Sequence, residues 1–236
     1  MATGNLDRYA LLMRLPLFQG ICGTELLHWE EALRLDIDEL PATRLPLLRQ
    51  GDNCSLLLYL VEGELLREHH SPDGIYATRS SLKAPAVIEV DRLYGLTPTY
   101  QHTYFAKTDV GMLSIRKSLA QSLLMKSEVF RINLLNTLSA ICQKRTAALL
   151  PHTMDTAEER LRHFLATIFP DAEGEVEVFI KMKDLARYIG ERRITVSQIL
   201  NRWKEEGNIR LGREHFTIFD IAWIHAPRAN FFSPTV

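Results

Sequence analysis

The sequence predicts an α+β chain in three parts: a β-barrel over 1–115, a long helix and hinge over 116–155, and a winged helix-turn-helix over 156–236. Three observations carry this. Two short amphipathic helices meet at Gly190. A β-hairpin pattern follows them directly. Upstream, short apolar runs recur between turn residues over about a hundred positions.

Residues 183–207 read KDLARYIGERRITVSQILNRWKEEG. Leu185, Ala186 and Ile189 share one face of the first helix. Val196, Ile199, Leu200 and Trp203 fall at i, i+3, i+4 and i+7 of the second, one apolar stripe. Gly190 sits where a left-handed cap ends the first helix. The outward face of the second helix carries Arg193, Ile194, Ser197, Gln198 and Asn201, with Arg192 at its N-terminal end. That end enters the major groove when such a motif binds DNA. Arginine donates two hydrogen bonds to guanine, and glutamine pairs in the same way with adenine. An ordinary helical hairpin with a solvated basic face would show the same periodicity.

The next residues favour the first reading. Gly207-Asn208 stops the helix, and Ile209–Leu211 and Phe216–Ile218 alternate around Gly212-Arg213-Glu214-His215. Arg210 and Arg213 are placed to meet phosphate from this wing, although a solvated hairpin would look alike.

Composition narrows the function classes. The chain has 236 residues, a net charge of -1 and 46% hydrophobic residues, which argues against a broadly basic binder but not against a local footprint. From Arg187 to Lys204 there are five basic residues and one acid, Glu191. Cys22, Cys54 and Cys142 are far apart, so neither a zinc site nor a disulfide framework is expected, and a reducing cytoplasm fits. There is no signal-like N-terminus and no apolar stretch of transmembrane length. Paired carboxylates, a nucleophile elbow, a phosphate-cradling loop and metal motifs are all missing, so no enzyme is expected.

Along the chain, 8–40 is expected to be partly helical. Strands are expected in LPLLRQGD, SLLLYLVEGELLRE, HHSPDGIYATRSSL, KAPAVIEV, HTYFAKT and VGMLSI, with Asp73-Gly74 as a hairpin turn. Ser127 caps a helix from Glu128 that ends at Leu150-Pro151. That helix has two apolar stripes, Leu134, Leu138 and Ile141 on one side and Ile132, Leu135, Cys142 and Leu149 on another, so it needs two partners. One is expected to be the chain's own barrel. The other is expected to be the same helix of a second subunit, and Leu134, Leu138 and Ile141 are taken as the dimer seam. The break at Pro151–Asp155 is the expected hinge, and Thr156 with Glu159 opens the next helix as a capping box.

Taken in order, barrel, two-faced helix, hinge and winged helix resemble the CRP/FNR family of bacterial transcription regulators. The resemblance is carried by LARYIGERRITVSQILNRWKEEGNI at 185–209, and in the barrel by RQGD at 49–52, YLVEGEL at 59–65 and PDG at 72–74. It implies a cyclic-nucleotide-binding-like jelly roll, a homodimer, a palindromic operator and effector-controlled DNA-binding domains. Its implied partners are double-stranded DNA, a second copy, RNA polymerase and a small-molecule effector; no membrane partner is expected. By position, Arg193, Ile194, Ser197 and Gln198 take base-reading slots, and Arg192, Thr195 and Asn201 backbone-contacting ones. Ile194 stands where glutamate is usual, and Gln198 where arginine is frequent, so an operator unlike the familiar TGTGA or TTGAT half-sites is expected. The alternative is a small-molecule or redox sensor whose winged helix makes protein contacts; salt-dependent binding to duplex DNA separates the two.

The effector side departs further. The family's nucleotide binders carry Phe-Gly-Glu and an Arg-Ser/Thr-Ala run, but the stretch here, VIEVDRLYGLTPTYQHTYFAKT, lacks both, and Tyr100 stands in the arginine slot. A cyclic nucleotide would bury an unpaired anion there, so none is expected. An iron–sulfur cluster is not expected either, since no N-terminal cysteine cluster is present. The cofactor is left unassigned. Tyr100, Gln101 and His102 lie at the level of an effector pocket. His69, His70 and His102 are read as surface histidines and Tyr59, Tyr76, Tyr94, Tyr100 and Tyr104 as barrel core or rim.

Overall fold

The computed structural model describes residues 10–33, 37–149 and 156–225. The expected hinge at 151–155 lies outside them, as does the expected helix end at Leu150-Pro151.

A helical turn at 10–14 and helix α1 (Gly23–Leu33) precede the barrel strands. These are β1 (Ile37–Leu40), β2 (Pro46–Leu48), β3 (Leu56–Glu62), β4 (Glu64–His70), β5 (Tyr76–Lys83), β6 (Ala86–Ile88), β7 (Thr103–Ala106) and β8 (Val110–Arg116). Helix α2 (Lys117–Ser122) and the long helix α3 (Glu128–Leu149) follow. The C-terminal part holds α4 (Ala157–Ile168), β9 (Val176–Ile180), α5 (Met182–Tyr188), α6 (Arg193–Glu205), β10 (Ile209–Leu211), β11 (His215–Ile218) and α7 (Ala222–His225).

Two sheets result among the described residues, in the orders β1-β8-β3-β6 and β10-β11-β9-β5-β4-β7-β2. Residues 37–40 are a strand rather than the end of a helical stretch: Ile37 to Leu40 pair antiparallel with Leu113 to Val110. Strand β9 was not expected at all, although Val176, Val178 and Ile180 alternate inward. It joins the wing strands to the barrel: Tyr76 to Ser80 of β5 pair with Ile180 to Val176. The second sheet therefore runs unbroken from wing to barrel. Tyr188 reinforces the junction by donating to Asp73 Oδ2 at 2.5 Å.

Two hydrophobic cores form. One gathers the barrel with the N-terminal helices and the start of α3, around Phe18, Tyr59, Leu65 and Phe130. The other gathers α4 to α7 and the wing around Leu161, Val178, Val196 and Trp203. The caps are as expected: Ser127 Oγ accepts from Phe130 N–H at 3.4 Å, and Thr156 and Glu159 form the reciprocal capping box.

Helix α3 packs on the barrel through the stripe taken as the seam: Leu134 is 6% exposed, and Leu138 and Ile141 are half-buried against the barrel core. A second stripe is open. Ile132 is 49%, Leu135 62% and Leu149 63% exposed. With Ser139, Cys142 and Thr146, all exposed, they recur at alternating spacings of three and four along the helix.

Candidate nucleic-acid interface

Helices α5 and α6 are joined by a turn whose geometry the sequence dictates. Gly190 has φ 66, a left-handed conformation that glycine adopts without a Cβ penalty. Glu191 N–H closes the end of α5 on Ala186 O at 2.9 Å. Arg160 of α4 fastens this turn from outside, donating from Nε to Ile189 O at 3.0 Å and pairing with Glu191.

The inward face of α6 is buried at Val196, Ile199, Leu200 and Trp203. The Trp203 indole donates to Glu158 Oε1 at 3.1 Å, and Glu158 also pairs with Arg202 and Arg162. The Arg162 guanidinium lies 4.0 Å from the Trp223 ring centroid, and Trp223 meets Trp203 edge-on at 5.0 Å. Glu158 thus fixes the roll of α6 from behind. Replacing it with alanine leaves the buried indole N–H without this acceptor. We expect Glu158→Ala to destabilise the C-terminal unit by about 1–3 kcal/mol, seen in thermal unfolding; an unchanged melting temperature would contradict this role.

The outward face is solvent-facing. Arg192, Arg193, Ile194, Gln198 and Asn201 are exposed, and Thr195 and Ser197 half-buried. Neither Arg192 nor Arg193 makes an ion pair among the described residues, so both guanidinium groups face solvent uncommitted. Asn201 is partly committed, donating from Nδ2 to Ser197 O at 2.9 Å. In the wing, Arg210 is exposed with its guanidinium 5.8 Å from the Phe219 ring centroid, and Arg213 sits in the exposed turn. A Cβ at Gly212 would lie 2.1 Å from the His215 ring, so a side chain there would displace that ring.

Two basic residues were given no role in the sequence reading. Lys181 and Lys183 at the start of α5 line an open groove with Arg193, Glu214 and His215, between the helices and the wing. Their signal was present as two lysines flanking Met182 where the motif opens.

At the effector level, Tyr100 is buried and Gln101 and His102 are half-buried. His102 Nδ1 lies 2.6 Å from Glu89 Oε1, and its ring meets that of His69 at 5.6 Å. His69 Nδ1 is 2.8 Å from Gln101 O. Of the three histidines read as surface groups, only His70 is exposed; His69 and His102 are half-buried because β4 and β7 pair there. Tyr59 and Tyr104 are buried in the barrel core, Tyr94 sits at its rim, and Tyr76 packs against the C-terminal core.

Burial lowers the His102 pKa, and the Glu89 hydrogen bond opposes this without cancelling it. Glu89, Arg67, His69 and Tyr104 are the titratable groups facing it. A lowered folded-state value means that the unfolded chain binds the proton more readily below the ordinary value of 6.5. Stability is expected to fall as pH drops from 6.5, and the depressed Glu89 carboxyl adds a further loss below its ordinary 4.5. Unfolding measured between pH 7 and 5 is expected to show a smaller decline for His102→Gln than for the native chain; equal declines would contradict the assignment.

Comparison with known proteins adds to this geometry. The sensor domain of the transcriptional regulator DNR from Pseudomonas aeruginosa is 18% identical and has a TM-score of 0.50, covering 61% of this chain and 94% of that one. The likeness is one of fold. The catabolite activator protein of Thermus thermophilus is 20% identical over 89% of this chain and 96% of that one, with a TM-score of 0.49. No curated protein matches by sequence. Residues 159–224 match the Crp-like helix-turn-helix domain. That part of the chain is a Crp-like helix-turn-helix domain. The matched span takes in the turn at Gly190, the face of α6 and the wing. Among the described residues, no helix is long and apolar enough to cross a membrane.

Proposed function

We propose that the chain is a DNA-binding regulator of the CRP/FNR type and binds a palindromic operator as a homodimer, with α6 of each copy in a major groove. The observation that carries this is the face of α6: buried on one side, and on the other an exposed N-terminal end bearing two arginines without ion pairs. Arg193, Ile194, Ser197 and Gln198 read base edges. Arg192, Thr195 and Asn201 hold the backbone, and Arg210, Arg213, Lys181 and Lys183 meet flanking phosphates. Ile194, 67% exposed, has no hydrogen-bonding group and suits a thymine methyl. The dimer seam is the open stripe of α3, whose alternating spacing is that of a coiled coil. Two separate cores support a barrel over 1–115, a helix and hinge over 116–155 and a DNA-binding domain over 156–236. RNA polymerase is the partner through which a bound dimer acts.

Titration of fluorescent duplex DNA with the purified chain tests the reading. Affinity should fall linearly in log–log form with salt, with a slope set by the number of phosphates neutralised. Binding that is absent at every salt concentration would move the winged helix to a protein-contact role.

A further inference from the structure

Glu89 lies between β6 and the short 3-10 turn Val90–Arg92, with φ 40 and ψ 45. That left-handed conformation is strained for a residue with a Cβ. What it achieves is the placement of a carboxylate. The Glu89 side chain is 7% exposed. Gln101 N–H donates to Oε2 at 2.6 Å and His102 N–H to Oε1 at 3.0 Å. His102 Nδ1 lies 2.6 Å from Oε1, and the Tyr104 hydroxyl donates to the same oxygen at 3.1 Å. Successive backbone N–H groups converging on one anion make an oxyanion cradle. These two belong to consecutive residues directly after the buried Tyr100.

We infer that Glu89 is the barrel's resident anion, seated by the chain itself in a cradle that otherwise takes a small oxyanion such as phosphate. The carboxylate supplies what an anionic effector would supply, and the turn closes without one. Although burial pushes the Glu89 carboxyl up, the His102 hydrogen bond and the charges and donors around it outweigh that, so the group stays ionised. The closed turn is also a grip. Asp91, two residues on, accepts from Arg145 Nη1 of α3 at 2.6 Å, and Arg145 Nε lies 3.6 Å from Asp171 of the C-terminal part. Arg67 of β4 donates to Asp171 O at 3.0 Å. The internal anion therefore holds the turn to which the long helix and the C-terminal part are tied. This inference concerns the barrel and does not depend on the DNA-binding proposal.

Glu89→Gly in the full chain tests it. Glycine adopts φ 40 freely, and the two N–H groups are left aimed at an empty space. The probe is inorganic phosphate at neutral pH, against chloride of equal ionic strength, read by thermal unfolding and titration calorimetry. The native chain is expected to show no phosphate-specific shift. The variant is expected to be less stable in chloride, to be restabilised by phosphate, and to bind it at least about tenfold more tightly than the native chain. Glu89→Asn, which tolerates the left-handed backbone and lacks the charge, should behave alike. A variant that is unfolded in chloride and recovered by phosphate would support the inference. Variants that ignore phosphate, variants that phosphate does not recover, or a native chain that binds it equally well would overturn it.

Discussion

Replacing Leu135 with aspartate is expected to divide the proposed dimer and, with it, to lose most of the DNA affinity. Leu135 is 62% exposed in one chain, between Ile132 and Ser139 on the open stripe of α3. Its truncation leaves no cavity in the barrel, because the stripe that packs there is Leu134, Leu138 and Ile141. At a two-fold seam each substitution acts twice, and two carboxylates then face each other across an apolar contact. The folded barrel should persist, with an unchanged melting profile at low concentration. Light scattering should find 27.0 kDa, the mass of one chain, in place of twice that mass. Losing the second half-site removes the effective-concentration advantage of two linked contacts, a factor of about 10²–10⁴. A variant that stays dimeric would place the seam elsewhere.

The second large effect is expected at Arg193. Its guanidinium is exposed at the N-terminal end of α6 and lies away from the buried stripe. Arg193→Ala should leave folding untouched. A bidentate base contact is worth about 1–3 kcal/mol, so each half-site should weaken about fivefold to a hundredfold, and a dimer feels this twice. The loss should fall on one base pair of the site, with discrimination there relaxed. Gln198→Ala should relax a different position. Arg213→Ala, by contrast, should weaken all sequences alike and lower the salt slope by about one. Equal losses on every duplex from Arg193→Ala would make that residue a phosphate contact.

The C-terminal part was legible because its residues obey local rules. The stripe from Val196 to Trp203, the turn at Gly190, the capping box at Thr156 and the wing hairpin all stand where periodicity and turn chemistry place them. What was missed depends on distant partners. Residues 37–40 look helical until β8 is there to pair with them. The inward alternation of Val176, Val178 and Ile180 was readable, but its pairing with β5 joins residues about a hundred positions apart. Helix α3 showed two apolar stripes, and nothing local says which one the barrel takes. Leu138 in place of Leu135 as the inward residue is decided by the tertiary packing. Glu89 was read as the end of a strand, VIEV. Only the structure shows that its carboxylate meets the amides of Gln101 and His102, 12 and 13 residues further on.

The central claim is that this chain reads duplex DNA as a symmetric pair. Selection of bound duplexes from a randomised pool by the purified protein, at moderate salt and with no ligand added, tests it most directly. The account predicts enrichment of a palindrome whose half-sites lie about 34 Å apart, with A·T pairs opposite Ile194 and Gln198 and half-sites unlike TGTGA or TTGAT. Enrichment of a single unpaired half-site, or of no sequence at all, would contradict it.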